Sequence, residues 1–264
     1  MSKIVFWNIN GHPIGDIVAE LAHEYDVDIL ALAESSLDEK KMLEPIGYHR
    51  IDELSERVKM YSRYPLEYFE PIWDDVNISI RQLNLPASDS ILLVAAHLPS
   101  KLFYEQRDQS DYCKIVSARI HEQQEKVGHS RTIIFGDLNM NPFESGLISA
   151  TGFHAIMDKR IVSKGSRRIK GIDYHYFYNP MWNKFGDNRT EPPGTYYYHT
   201  NIYNSYFWNM FDQVLLSYEI IDKFNNDNLT IISSVGEHSL LTNDGRPNDK
   251  FASDHLPIFF ELFI

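Results

Sequence analysis

Cysteine is nearly absent. Cys113 is the single one in 264 residues, so no disulfide can form within the chain, and such usage fits a reducing compartment. Long apolar runs are missing too. No stretch reaches the roughly 18 consecutive apolar residues that mark a membrane-spanning helix. Met1-Ser2-Lys3 leads straight into a strand-like run with no signal-peptide core. A cytoplasmic location and no membrane partner are the resulting expectations. Cations are scarce as well: 25 Lys and Arg stand against 37 Asp and Glu, a formal net charge of −12. That argues against a surface built to coat DNA or membrane. It leaves room for an enzyme that holds an anionic substrate through a bound cation, because the ion then supplies the local positive field. Linkers of Gly/Ser or Pro type, repeats and low-complexity segments do not occur, so residues 1–264 read as one domain.

What is present is ordinary globular material, 43% hydrophobic and 23% charged, enough for a sizeable core. Residues 3–9 read as a buried strand followed by the Asn10-Gly11 turn signal. Ile14, Ile17, Val18, Leu21 and Ala22 give residues 14–25 a helical apolar face, and 28–33 form a second apolar strand. A short helix and strands near 47–51 and 57–63 follow. Residues 76–85 alternate as a half-buried strand does, and 90–98 form a buried one. The long polar stretch 105–127 spaces Ile115, Val116, Ile120 and Val127 as a helix does, and Cys113 is expected to pack within it. Further strands are expected at 132–136, 211–217, 229–235 and 257–263. With about ten strands and few helices, two packed sheets with helices outside suit the count better than one open sheet. Residues 151–208 read as a large insertion. It carries a basic run (Lys164, Arg167, Arg168, Lys170) and a dense series of Tyr, Phe and Trp. Asn-x-Ser/Thr sequons occur at Asn77, Asn188 and Asn228 and carry no meaning without secretion.

The stretch Thr132-Ile133-Ile134-Phe135-Gly136-Asp137-Leu138-Asn139 delivers an acid to a strand end, with an amide two positions on. Residues i and i+2 of an extended segment point the same way, so Asp137 and Asn139 face one spot. Read alone, the pair fits a strand end closed by an Asx-type turn as well as it fits a site that holds a metal or orients a water. The same arrangement recurs, however. Asn8, Glu34, His97, Asp212, Asp254 and His255 also stand at the borders of apolar strands. Four carboxylates, two His and two Asn with no Cys suit Mg²⁺ or Mn²⁺ better than a structural Zn²⁺.

In order, Trp7-Asn8-Ile9-Asn10-Gly11, Leu32-Ala33-Glu34, Ala96-His97-Leu98-Pro99, Phe135-Gly136-Asp137-Leu138-Asn139, Phe211-Asp212-Gln213-Val214 and Ser253-Asp254-His255-Leu256-Pro257 resemble the successive motifs of the endonuclease/exonuclease/phosphatase superfamily, the group of exonuclease III and the deoxyribonucleases. The resemblance implies an α+β four-layer αββα sandwich, two packed mixed β-sheets flanked by helices. It implies Glu34 as the main ligand of a Mg²⁺ or Mn²⁺ cofactor, with Asn8 and Asp254 completing the shell. Asp137 would orient or deprotonate the attacking water, and Asn139 would fix the phosphate or that water. His255 would contact the scissile phosphate with Asp212 holding its imidazole, and His97 would stabilise the phosphate or protonate the leaving oxygen. Asn10 replaces an acid that some members carry. Arg63, in Tyr61-Ser62-Arg63-Tyr64-Pro65, resembles a family segment in which the Arg is structural.

The reaction implied is in-line attack of water on a phosphorus ester. The substrate stays open: nucleic acid, DNA or RNA, is the expected partner of a nuclease, with a small-molecule or lipid phosphate as the alternative. An inactive binding module is disfavoured by the full polar set. The aromatics of 151–208 could stack bases, with the basic run guiding the backbone. Against this, the basic run can be a solvated loop, and most of the aromatics are expected to pack the insertion's own small core, with one or two lining the cleft.

Overall fold

The computed structural model describes residues 1–51, 54–186, 191–201, 203 and 205–264; the Asn188 sequon lies outside them. In chain order the strands are β1 (Ser2–Asn8), β2 (Ile29–Ala33), β3 (His49–Arg50), β4 (Val58–Ser62), β5 (Phe69–Asp74), β6 (Ile78–Leu83), β7 (Ile91–His97), β8 (Thr132–Asp137), β9 (Ala155–Ile156), β10 (Ser166–Ile169), β11 (Ile172–His175), β12 (Phe177–Tyr178), β13 (Tyr196–Tyr197), β14 (Trp208–Asn209), β15 (Asp212–Ser217), β16 (Thr230–Ile231), β17 (Ser234–Val235), β18 (His238–Ser239) and β19 (Ile258–Leu262). Two sheets dominate. One has six strands in the order β16-β19-β1-β2-β4-β3, and the other has seven in the order β5-β6-β7-β8-β15-β12-β9. Both are mixed: β1–β2 and β7–β8 run parallel, while β1–β19 and β8–β15 run antiparallel.

Alternation along β7 shows how the layers form. Ile91, Leu93 and Ala95 join Ile133 and Phe135 in the core shared with the six-stranded sheet. Leu92, Val94 and Ala96 pack on the other face with Cys113, Val116 and Ile120 of the helix Gln106–Val127. That helix starts on a capping box between Glu105 and Asp108 and stops at Gly128, whose φ of 75° suits a left-handed cap. On the outer side of the first sheet, the helix Gly15–Glu24 buries Val18, Leu21 and Ala22. The result is the αββα sandwich. Within 151–208, β9 and β12 are strands of the seven-stranded sheet itself. The expected strand at 229–235 is two short pieces, β16 and β17, in different sheets.

Strands β5 and β6 share a deeply buried ion pair. Arg81 is 1% exposed, and its guanidinium donates to Asp74 Oδ1 and Oδ2 at 2.8 and 2.6 Å and to the Ile51 and Ile80 carbonyls. Every oxygen it meets is an acceptor, which is the condition under which a buried charge is tolerated. Asp74→Ala strands that charge, and denaturant unfolding should show a loss of about 3–5 kcal/mol.

Arg63 lies on the first sheet's side, where its guanidinium donates to the Asp26 carbonyl and to Asp28 Oδ1.

Candidate active site

The three central strands of the seven-stranded sheet bring their polar ends together by register. Asp137 is the ladder partner of His97 across β7–β8 and of Asp212 across β8–β15. The other sheet brings Asn8 at the end of β1 beside Ala33, and Glu34 follows at once. Glu34 sits at φ 51° and Asn139 at φ 52°, conformations that cost non-glycine residues energy and re-aim the side chains where the strands stop. Ser253 Oγ donates to the Asn8 carbonyl at 2.7 Å, and Trp7 Nε1 donates to the His255 carbonyl at 2.9 Å, tying the Ser253-Asp254-His255 segment to β1.

Asp137 is the hub. Asn8 Nδ2 donates to its Oδ2 at 3.1 Å and lies 3.4 Å from Glu34 Oε1. His97 Nε2 stands 3.6 Å from Asp137 Oδ2 and 3.5 Å from Glu34 Oε1, and His255 Nε2 stands 3.9 Å from Asp137 Oδ2. The backbone N–H of Asn139 donates to Asp137 Oδ1 at 2.9 Å, and the Asn139 amide donates to the Leu98 carbonyl. His255 Nδ1 donates to Asp212 Oδ2 at 2.8 Å. Burial pulls the imidazole's pKa down, but the Asp212, Asp137 and Asp254 carboxylates outweigh it and push the group up to about 10. Asp254 is raised by burial first, with the nearby Asp249 and Glu34 carboxylates adding to the effect against His255.

Seven of the eight residues expected from the sequence line one open cleft of about 850 Å³; Asp212 lies behind His255, fully buried. Several neighbours were not among the expected site residues. Thr195 Oγ1 accepts from the Phe211 and Asp212 amides and fixes the start of β15. Tyr196 lays its ring 4.7 Å from the His255 imidazole. Among the described residues, Lys101 and Arg57 are the cleft's Lys and Arg side chains, reaching it from loops far apart in the chain. The basic run flanks or lies on the β10–β11 hairpin and does not line the cleft.

The model of the Endonuclease/Exonuclease/phosphatase family matches residues 5–255. The chain belongs to that family. The family is one of phosphoester hydrolases. No curated protein matches the chain. Solved structures share the fold from end to end. Truncated Caenorhabditis elegans TDP2 is 18% identical with a TM-score of 0.58, over 100% of this chain and 98% of that one. An AP endonuclease from Archaeoglobus fulgidus is 16% identical at 0.57, over 100% of both. The Neisseria 3′ phosphatase NExo, bound to a product DNA hairpin, is 16% identical at 0.54, over 99% of both.

Within this family fold, Asp137, Asp212 and His255 offer ligand atoms within 4.8 Å of one another and are a group that could hold a metal. Glu34 and Asp254 offer a second, more open set of oxygen donors on the same cleft. Among the described residues no helix is long and apolar enough to cross a membrane.

Proposed function

We propose that the protein is a Mg²⁺- or Mn²⁺-dependent phosphodiesterase that cleaves nucleic acid by attack of an activated water. The observation that carries this is the convergence on Asp137 of an amide and two imidazoles from both sheets. Asp137 takes the proton of the attacking water. Its anionic form is held by the Asn8 amide and by the His255 cation, which also offers Nε2–H to a phosphoryl oxygen. Asp212 keeps the proton on Nδ1 engaged and the ring fixed. His97 serves the phosphate or the leaving oxygen, and Asn139 frames the Asp137 carboxylate.

The donor chemistry fits a hard dication at Glu34, Asn8 and Asp254. The carboxylates face one cleft, and Asp254 is pushed up by burial and by its acidic neighbours, a charge excess that a cation relieves. The Asp137–Asp212–His255 group fits less well, because the His255 Nδ1 is already committed to Asp212 and the surrounding carboxylates favour the protonated ring over a ligating one. A bound ion would neutralise charge developing on the phosphoryl oxygens.

Two neighbours support nucleic acid as substrate: zebrafish TDP2 was solved with a single-stranded DNA product and NExo with a product DNA hairpin. The net charge of −12 favours a second reading, a small-molecule or lipid phosphate ester. A panel of labelled DNA and RNA, nucleotides, phosphoinositides and phospholipid vesicles, with Mg²⁺ or Mn²⁺ and then with chelator, separates them. Cleavage of the polymers that chelator abolishes is the expected result. Release from the small esters alone would install the second reading, and hydrolysis of nothing would leave a binding module.

A further inference from the structure

Resting on the phosphodiesterase reading, we infer that the substrate is single-stranded, gripped by nucleobase stacking on an aromatic rim rather than by its charged backbone. The cleft's charges point this way first. Among the described residues Arg57 and Lys101 are its only Lys and Arg side chains, and Lys101 is already paired with Glu144. A protein that tracks a duplex through its phosphates engages about 6–10 of them with cations. This cleft, set in a chain of net charge −12, has nothing like that number.

It has aromatic surface instead. Tyr206 and Phe207 line the cleft while 66% and 42% exposed. They are not loose. The Tyr206 ring rests 5.2 Å from that of Phe143, which in turn is braced by Trp182 and Phe185 at 6.4 and 6.1 Å. Phe207 leans on Tyr197 at 6.3 Å and on His199 at 5.9 Å. A ring held from behind and open in front is a stacking platform that loses little freedom when a base settles on it. Leu102 and Phe103, 79% and 83% exposed, come from the loop that leaves β7 just after His97, so an apolar edge begins within a few residues of the catalytic floor. Bases inside a duplex have their faces covered and cannot use these platforms, whereas unpaired bases can. The same floor-to-rim continuity sets the reading frame: the scissile phosphate sits at Asp137 and its neighbouring bases on the rim.

The test uses the full chain with Mg²⁺ or Mn²⁺ on four substrates: a single-stranded oligonucleotide, its blunt duplex, an oligonucleotide of equal length with base-free sugars throughout, and phospholipid vesicles. The wild type should cleave the single strand at least about tenfold better than the duplex or the base-free chain. Phe103→Ala and Tyr206→Ala should each shrink the base-bearing to base-free ratio of kcat/KM roughly tenfold, through KM. Between 50 and 200 mM salt, kcat/KM on the single strand should fall less than about tenfold, far short of the loss expected for 6–10 phosphate contacts. Equal cleavage of base-bearing and base-free chains overturns the inference and leaves the phosphodiesterase reading standing. So does hydrolysis of vesicle lipid with oligonucleotides inert, since the rim would then be a lipid contact. Inertness toward all four overturns both.

Discussion

A His255→Gln variant should lose about 10³-fold in kcat for phosphoester hydrolysis. The imidazole sits between two carboxylates, with Nδ1 2.8 Å from Asp212 Oδ2 and Nε2 3.9 Å from Asp137 Oδ2. Glutamine keeps a donor but no charge. It also leaves Asp212, fully buried, facing a neutral amide. A second readout follows from the proton. The His255 pKa is raised in the folded protein to about 10, from an ordinary value near 6.5. Its contribution to stability is therefore complete below about 6.5 and is lost as pH rises through about 10. Thermal melts of the wild type at pH 7 and pH 10 should differ by more than those of the variant. Equal shifts in both proteins would mean that the ring is not the charged partner of Asp212.

Gly136→Ala is the backbone counterpart. A Cβ on Gly136 would lie 1.8 Å from the Ala96 carbonyl oxygen, and the backbone there has φ 150°. The atom in the way belongs to the neighbouring strand, not to a side chain that can swing aside. Ala96 and Gly136 are ladder partners, and the next pair is His97 and Asp137. Relief therefore requires β7 and β8 to part where His97 and Asp137 leave them. Strain and overpacking together should cost about 3–5 kcal/mol in urea unfolding. Where the protein still folds, a displacement near 1 Å at Asp137 should cost about 10²-fold in kcat. An alanine variant with wild-type stability and rate would show that the two strands have slack at this point.

Gly136 also explains why so much of the site could be read in advance. Buried strands announce themselves as apolar runs, and a polar residue that ends such a run has few places to go. That reasoning brought out Asn8, Glu34, His97, Asp137, Asp212 and Asp254-His255, and the two sheets bring seven of the eight expected residues onto one cleft, with Asp212 packed behind it. It failed where pairing is set by tertiary approach. The β5 strand, Phe-Glu-Pro-Ile-Trp-Asp, has no clean alternation and a register shift at Pro71–Trp73, so only its partner β6 reveals it. The two-residue strands β9 and β12 are too short to show a period. The aromatic stretch divides in a way that composition hides. Tyr176, Phe177 and Tyr178 are buried, whereas Tyr198, Tyr206 and Phe207 open onto the cleft. The basic run, open to reading as a substrate guide or as a solvated loop, stays off the cleft, whose Lys and Arg residues among the described ones are Lys101 and Arg57, neither conspicuous in its local sequence.

The central claim is that Asp137 activates water against a phosphorus ester. The direct measurement is the rate of Mg²⁺- or Mn²⁺-dependent cleavage of one labelled oligonucleotide by the wild type and by Asp137→Asn. Asparagine keeps the shape, and Oδ1 can still accept from the Asn139 N–H. Wild-type cleavage with a rate in the variant at least about 10³-fold lower, at a similar melting temperature, is the predicted result. A variant that cleaves at the wild-type rate would contradict the account.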